Sequence, residues 1–550
     1  MSGAIITSAL PYANGEIHLG HIASTYLPAD IFTRFLRLNG QQAYHICASD
    51  DYGTPILIKA EKEGKKPAEY VAQWNRRDRE DFASLGISFD IFYRTSSPEN
   101  VNFVQQVFTK LRENGHIYEQ DIVQFYCEFD DKFLPDRYVI GKCPFCGAEN
   151  QYSDLCEKCG RVPDQILGPK CAICGRPPVK KKSTHYFFKL SNFSARLKEW
   201  LSTNANLQPD VKNYVINWIN EGLQDWDITR DLSWGVPIPL PEARGKVFYG
   251  WFDNHLCYIS TTVKVIEEKG GDGKEFWNSS QIYHYIGKDI VYHHYLFLPA
   301  MRMGIGEEFK LPDYIPTRGH LMLQNQKISK SRNWYIGLKD FTASFNPDYL
   351  RFYIASIVTY SQDDLNFDFG GFAEKINNEL IANVGNFVNR ALSFTQKAFA
   401  GKVPELGQLD AEDRAVIEEV AAAVAEIGRL IQSNETDKAL KRIMALSSHF
   451  NQYFQKKKPW SDAQTAPATL YIAANAARSL AILLAPFIPF SCEKIWSQLG
   501  LQGSVHEQSW QSAAEMNLVQ PGHALGKVEP IFKKIEAKEI EEQKTKLSIK

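Results

Sequence analysis

Three Cys-x-x-Cys pairs crowd into one stretch of this 550-residue chain: Cys143-Pro144-Phe145-Cys146, Cys156-Glu157-Lys158-Cys159 and Cys171-Ala172-Ile173-Cys174. Nine residues separate the first two. Each such knuckle presents two thiolates from one tight turn, and two knuckles complete a tetrahedral S₄ shell around zinc. Gly147 and Gly160 directly follow the second cysteine of their knuckles, where positive φ is expected. A closed S₄ shell has no open position, so this zinc is expected to be structural. The third knuckle lacks a complete partner. Cys127-Glu128-Phe129-Asp130 offers one thiol and one carboxylate, so Cys127, Asp130, Cys171 and Cys174 form a possible Cys₃Asp second site.

Of ten cysteines, only Cys47, Cys257 and Cys492 stand outside this cluster. The N-terminus, MSGAIITSALPYANGE, has no basic segment before a long apolar one, so no secretory signal is read. Paired cysteines in such a chain read as metal ligands, and a reducing cytoplasm is expected. No run of about 18 apolar residues appears, so no membrane span is expected. A net charge of −2 excludes a globally basic nucleic-acid binder but leaves room for a local basic face. The length implies roughly two to four domains.

The cysteine cluster interrupts an α/β pattern. Ala4-Ile5-Ile6 with Ala9-Leu10 reads as a buried strand, broken by Pro11 to Gly15, and His18-Leu19-Gly20-His21 opens a helix. Strand, turn and helix N-terminus form an anion site, because backbone N–H groups and the helix dipole point the same way. A second strand, Ala43–Ala48, ends in Ser49-Asp50-Asp51, where ligands bind in open α/β sheets. Asp50 could equally cap the next helix. Helices are expected over 56–85 and 98–114, and a strand over Ile87–Tyr93.

After the cluster, Lys180-Lys181-Lys182 reads as a solvated face. Helices are expected near 191–203 and 211–222. Val247–Asp253 and Gln281–Ile286 read as strands, the latter ending in Gly287-Lys288-Asp289, which suits close approach to a nucleotide and a carboxylate on ribose hydroxyls. A helix over Ile290–Met303 carries His293 and His294. Lys327-Ile328-Ser329-Lys330-Ser331 is a basic loop able to charge-stabilise a leaving pyrophosphate. From Phe367 the pattern is almost wholly helical, a bundle with a break at Gly401–Pro404.

His18-Leu19-Gly20-His21 resembles the HIGH box of class I aminoacyl-tRNA synthetases, and Lys327–Ser331 resembles their KMSKS loop. The flanking Leu10-Pro11-Tyr12-Ala13-Asn14-Gly15 is similar to the methionyl-tRNA synthetase family, and the paired knuckles to its archaeal-type members, which often carry two zinc sites. The resemblance implies a doubly wound, Rossmann-like catalytic domain with a zinc-knuckle insertion, followed by an all-α bundle. It divides the chain into 1–115 and 231–325 (catalytic halves), 116–230 (insertion), 326–366 (KMSKS-like loop and stem contact), 367–527 (anticodon-binding bundle) and 528–550 (C-terminal helix or tail). An insertion of that length leaves no room for the editing domain of the isoleucyl, valyl and leucyl enzymes.

The implied activity is ATP-dependent activation of methionine to methionyl-adenylate and transfer to tRNA(Met). His18, His21, Lys327 and Lys330 are the implied catalytic residues. Gly20, Gly287 and Asp289 join them around ATP, and Mg²⁺ arrives with the nucleotide. Leu10, Tyr12, Asp50, Trp251, Tyr258, Ile290 and His294 are implied around methionine, with Asp50 on the α-ammonium. Asn386, Arg390 and Trp460 are implied anticodon readers, by base stacking and edge recognition. No appended dimerisation module follows, so a monomer is expected. The chain departs from the family at Asn254-His255-Leu256-Cys257, where Ala-Pro-Ile-Gly is usual, and at His293, usually Phe. Two alternatives therefore stay open: the same fold charging another amino acid, and a non-catalytic tRNA-binding relative.

Overall fold

The computed structural model describes residues 3–548 apart from 154, 155, 157, 160, 162, 164, 307, 331, 332 and 463. The expected positive φ at Gly160 and the serine closing the basic loop, Ser331, lie outside the described residues.

At the centre is a five-stranded parallel sheet in the order Thr317–Arg318, Gln281–Gly287, Ala4–Ser8, Ala43–Ser49, Ile91–Arg94. The first strand to form in sequence is the middle one in space. It is fully buried along Ala4–Ser8, as a strand covered by helices on both faces must be. Thr7 pairs with His284 on one side and Ile46 on the other. The chain order reverses around this strand, so its C-terminal end faces a crevice, the usual ligand position in doubly wound sheets.

Between Ile117 and Asp227 the chain leaves this sheet. Ile117–Cys127 and Val179–Phe188 form a long antiparallel ribbon, and the cysteine knuckles sit at its far end on a small sheet of their own. His185–Phe188 therefore belong to a strand. Lys180, Lys181 and Lys182 are exposed on the ribbon, with the Lys181 ammonium 4.0 Å above the Tyr126 ring.

Four expected elements are redrawn. The helix expected over 56–85 is two, Thr54–Lys62 and Pro67–Ser84, parted at Gly64 with φ 64°. Val247–Asp253 is not one strand: Val247–Phe248 pair with Thr229–Arg230, and Gly250–Asp253 turn into a helix. The aromatic run hid this break, which Gly250 permits. The strand expected from Ile87 begins at Ile91, because Gly86 at φ 74° ends the preceding helix and Ile87–Asp90 form the loop after it. Ile290–Met303 is helical but wider in the middle, a π-helical turn at His293–Phe297 leading into Leu298–Gly304. Similar π turns occupy Ile22–Tyr26 and Ile376–Gly385. Such turns often mark functional positions.

Helices from Phe369 onward form the bundle. Among the described residues, Ala466–Leu484 is the one helix long and apolar enough to cross a membrane, and it is buried inside the bundle. The bundle shares one apolar core with the helix Leu27–Leu38 that packs on the parallel sheet, where Phe35 meets Trp510 edge-on at 4.9 Å. Arg351, fully buried, pairs with fully buried Asp30 at 2.7 Å and donates to the Pro486 and Phe487 carbonyls. The final helix, Ala537–Ser548, packs back near Phe369–Lys375.

Candidate active site

A cavity of about 360 Å³ opens at the C-terminal ends of the central strands. Leu10, Pro11 and Tyr12 line it from the first turn, Gly20, His21 and Ser24 from the first helix, and Asp50 from the second strand. Trp251, Asn254, His255 and Tyr258 close one wall, with Gly287, Asp289, Ile290, His294 and His320 closing the other. A larger groove of about 660 Å³ between Pro98–Glu113 and Cys257–Glu268 lies away from the strand ends and holds no histidine.

The turn after Ser8 builds the histidine pair. His18 caps the first helical turn: its Nδ1 accepts the Gly20 N–H at 3.2 Å. His21 reaches back, its Nδ1 accepting the His18 N–H at 3.1 Å. An imidazole that accepts at Nδ1 carries its proton on Nε2. Burial, and then the charge of Lys330, lowers His18 to about 3; burial, then His18 and Lys330, hold His21 well below its ordinary value. Both rings are therefore neutral at pH 7, each with an Nε2–H left to donate. A Cβ on Gly20 would lie 3.1 Å from the His18 ring and from Ile328 Cδ1, so glycine lets the downstream loop seat here.

That loop docks on the histidines. Leu19 N–H donates to the Ile336 carbonyl at 3.2 Å, and Leu338 N–H to the Ile17 carbonyl at 2.8 Å. Lys330 is an exposed residue, but its ammonium comes over the glycine turn, where a Cβ on Gly15 would sit 3.1 Å from its Nζ. Burial lowers Lys330 to about 8, with Asp78 opposing. Lys327 does not join it. It is exposed on the short strand Gln326–Lys327, held outward by pairing with Met322–Leu323. Of the two expected catalytic lysines, the structure brings only Lys330 to the histidine pair.

Asp50 does not cap the next helix, whose N-cap is Gly53. Its Oδ2 accepts from Asn254 Nδ2 at 3.2 Å and its Oδ1 from the Tyr52 N–H at 3.4 Å. Burial pushes Asp50 up to about 7, against those two hydrogen bonds. Neighbouring Asp51 turns away to Ser49 and Ser96. Tyr258 O–H donates to His294 Nε2 at 3.1 Å, and His294 Nδ1–H to the Ile290 carbonyl at 3.0 Å. Asp289 is held by His320 Nε2 at 2.9 Å. A Cβ on Gly287 would fall 2.5 Å from Asp289 Oδ1, which explains the glycine.

Of the residues unusual for the resemblance, Asn254 and His255 line the cavity. His293 stacks on Trp251 at 3.8 Å, and Cys257 is buried against Thr261. Sequence reasoning missed His320 and Ser24. His320 follows Gly319, whose Cβ would strike the Asp363 carbonyl at 2.0 Å, and a glycine before a histidine near a strand start was the available signal.

The metal clusters close as expected. Cys143, Cys146, Cys156 and Cys159 bring their sulfurs within 4.8 Å of one another, with Cys143–Cys159 at 3.9 Å and Cys146–Cys156 at 3.6 Å. A tetrahedral zinc with bonds of about 2.3 Å places its sulfurs about 3.8 Å apart. Cys127, Asp130, Cys171 and Cys174 form a second such group, with Asp130 Oδ2 at 3.0 Å from Cys127 Sγ and 3.1 Å from Cys171 Sγ. Both donor sets fit zinc.

In the bundle, Asn386 and Arg390 line an open groove with Asn451, Gln455, Lys456 and Lys458. Trp460, 41% exposed, lies 5.2 Å from the Arg390 guanidinium and 5.7 Å from the Phe394 ring. The three expected anticodon residues thus share one polar, basic surface.

Residues 4–392 match the family described as tRNA synthetases class I (M), and 403–550 match the anticodon binding domain of methionyl tRNA ligase. The chain belongs to the methionyl-tRNA synthetase family. It is 42% identical to the methionine–tRNA ligase of Methanopyrus kandleri, covering all of this chain and 82% of that protein. It is 43% identical to that of Pyrococcus abyssi, covering 96% of this chain and 75% of that protein. The methionyl-tRNA synthetase of Mycobacterium tuberculosis, solved with methionyl-adenylate, superposes with a TM-score of 0.79 at 23% identity over 96% of this chain and all of that one. That likeness gives the methionyl-tRNA synthetase fold: parallel catalytic sheet first, helical domain last.

Proposed function

We propose that the strand-end cavity joins methionine to ATP, and that the bundle groove reads the anticodon of tRNA(Met). The chain is an aminoacyl-tRNA ligase of the AMP-forming kind. In the first step a methionine carboxylate oxygen attacks the α-phosphorus of ATP. The bond from that phosphorus to the bridging oxygen breaks, and pyrophosphate leaves with the electron pair. In the second step a terminal hydroxyl of the tRNA attacks the aminoacyl carbonyl, loses its proton, and AMP leaves.

Neither step demands a strong acid or base; both need positioning and charge stabilisation. The Nε2–H groups of His18 and His21 donate to phosphate oxygens as charge spreads over them. Lys330 supplies positive charge beside them, and Lys327 meets the leaving pyrophosphate from the exposed strand as the loop shifts. Asp289, held by His320, takes the ribose hydroxyls. Asp50 takes the methionine α-ammonium, while Leu10, Tyr12, Trp251, Tyr258, Ile290 and His294 enclose the thioether side chain, which such walls suit. Mg²⁺, carried in with ATP, neutralises phosphate charge.

Cys143, Cys146, Cys156 and Cys159 would hold a zinc that fixes the knuckle, and Cys127, Asp130, Cys171 and Cys174 would hold a second ion that fixes its base on the ribbon. Asn386 and Arg390 read base edges, and Trp460 stacks on an unstacked base. A cytoplasmic location follows from this reading.

The observation that carries the proposal is one cavity lined by His21, on whose ring neutral His18 stacks, and by a buried carboxylate that has no cation partner among the described residues. Amino-acid-dependent pyrophosphate exchange into ATP, run across the twenty amino acids, tests it. Exchange with methionine is the expected result; exchange only with another amino acid, or none, overturns it.

A further inference from the structure

Asp50 is a carboxylate in an awkward place. It is 2% exposed, and among the described residues no cation pairs with it. The groups facing it are acidic or neutral: Asp51 beside it in the chain, Asp253, Cys257 and Tyr258 from the opposite helices, and Tyr52 from its own loop. The Arg94 guanidinium pairs at 3.7 Å with Asp51 instead. Both oxygens of Asp253 are buried without a hydrogen-bond partner, and burial, then Asp50, pushes its carboxyl well up, so it stays protonated. The Asn254 amide donates to Asp50 at 3.2 Å.

Asn254 is itself 4% exposed and lines the same cavity. Its Nδ2 is spent on Asp50. Its Oδ1 is buried with no partner. A buried acceptor without a donor costs about 1–3 kcal/mol unless something supplies one. A cationic, multiply donating group would satisfy Asp50 and relieve this oxygen together, and an α-ammonium with three N–H bonds is such a group.

We propose that Asn254 is a positioning residue for the substrate α-ammonium, clamping the Asp50 carboxylate in the orientation and charge state that receives it. The inference rests on the proposed reading of the cavity as the methionine site. The amide fixes Oδ2 while the Tyr52 N–H fixes Oδ1, so the carboxylate plane is set before substrate enters. A hydrogen bond to the ionised form also favours that form, offsetting part of the burial effect.

The sign of the pH effect follows. Substrate capture needs Asp50 ionised. Removing the Asn254 donor raises the pH at which it ionises, so capture is lost at a higher pH than in the unaltered protein. The experiment compares the full-length protein with Asn254→Ala and Asn254→Ser, neither of which reaches Asp50 with a donor. Methionine-dependent pyrophosphate exchange is followed against pH, and the des-amino analogue of methionine is used as a competitive inhibitor.

The expected result is a KM for methionine raised about tenfold at neutral pH. The acid limb of kcat/KM should move up by about half a pH unit or more. Inhibition by the des-amino analogue, which brings no ammonium, should stay unchanged. An unmoved acid limb, or equal weakening of methionine and the analogue in both variants, overturns the inference: the first leaves Asn254 without influence on Asp50, the second makes it mere pocket packing. If the unaltered protein shows no methionine-dependent exchange, the parent reading falls and takes this one with it. Normal exchange in the unaltered protein and in both variants removes the Asn254 role alone.

Discussion

The rings of His18 and His21 stack with centroids 3.7 Å apart and planes 21° from parallel. Each ring's Nδ1 is occupied by a backbone N–H, so the stack keeps two Nε2–H donors. In the proposed reading, this arrangement stabilises charge on a phosphate without adding a full positive charge of its own.

Replacing His21 by Ala removes one donor and lets the His18 ring drift. Adenylate formation should fall about 10²–10³-fold, the usual loss for one preorganised donor at a developing oxyanion. The walls proposed for methionine are other residues, so its KM should change less than about twofold. Pre-steady-state adenylate formation checks both; a rate near that of the unaltered protein defeats the role given to His21.

Lys330 is useful only while charged, and burial lowers it to about 8. For the free enzyme, kcat/KM for ATP should therefore decline as pH rises through about 8, the value at which Lys330 loses its proton. Lys330→Arg keeps its charge throughout this range. The alkaline limb should then vanish below about pH 10, even if the absolute rate drops. A limb that survives in the arginine variant belongs to another group.

These two sites show what was legible in the residues and what was not. The histidine pair, the strand-end Asp50 and the spacing of Cys143 to Cys159 are local patterns, each written in fewer than about 20 residues, so their placement could be read from neighbouring residues alone. The split between Lys327 and Lys330 was not legible, because it depends on Met322 pairing with Lys327 and on Gly15 leaving room for an ammonium. The break at Gly250 was hidden by an aromatic run that suits strand and buried helix alike. His320 was passed over because its role comes from Asp289, 31 positions away in the chain. Contacts set by tertiary approach leave little trace in periodicity.

Gly287 has no room for a side chain. An added Cβ would lie 2.5 Å from Asp289 Oδ1, so Gly287→Ala must push that carboxylate off His320 and out of line with the ribose. The KM for ATP should rise about tenfold or more, while the KM for methionine stays near its starting value. Equal changes in both would mean that the strand end itself had moved. Asp289→Asn, which keeps the shape without the charge, should give a smaller ATP defect than Gly287→Ala.

Zinc content tests the knuckles directly. Two equivalents per chain are expected, falling to one in Asp130→Ala, since three thiols alone leave a zinc open to exchange. Cobalt substitution separates the two sites by charge-transfer intensity, stronger for four thiolates than for three. A single equivalent in the unaltered protein removes the second site.

The joint between catalytic domain and bundle gives the sharpest stability prediction. Asp30 and Arg351 are both fully buried and pair at 2.7 Å, with Arg34 and the Ser88 N–H also on Asp30. Burial alone would raise the Asp30 carboxyl, but Arg34 and Arg351 outweigh it and hold it well below the usual range. Asp30→Ala leaves Arg351 charged and unpaired in the core, at a cost of about 3–5 kcal/mol. Because the folded carboxyl titrates below its unfolded value, its contribution is complete above the unfolded value near pH 4 and is lost as pH falls toward the folded one. The stability gap between the unaltered protein and Asp30→Ala should thus be constant from about pH 5 to 8 and narrow below about pH 4. Urea unfolding across that range measures it, and a gap that widens in acid would show that Asp30 is not the ionised partner of Arg351.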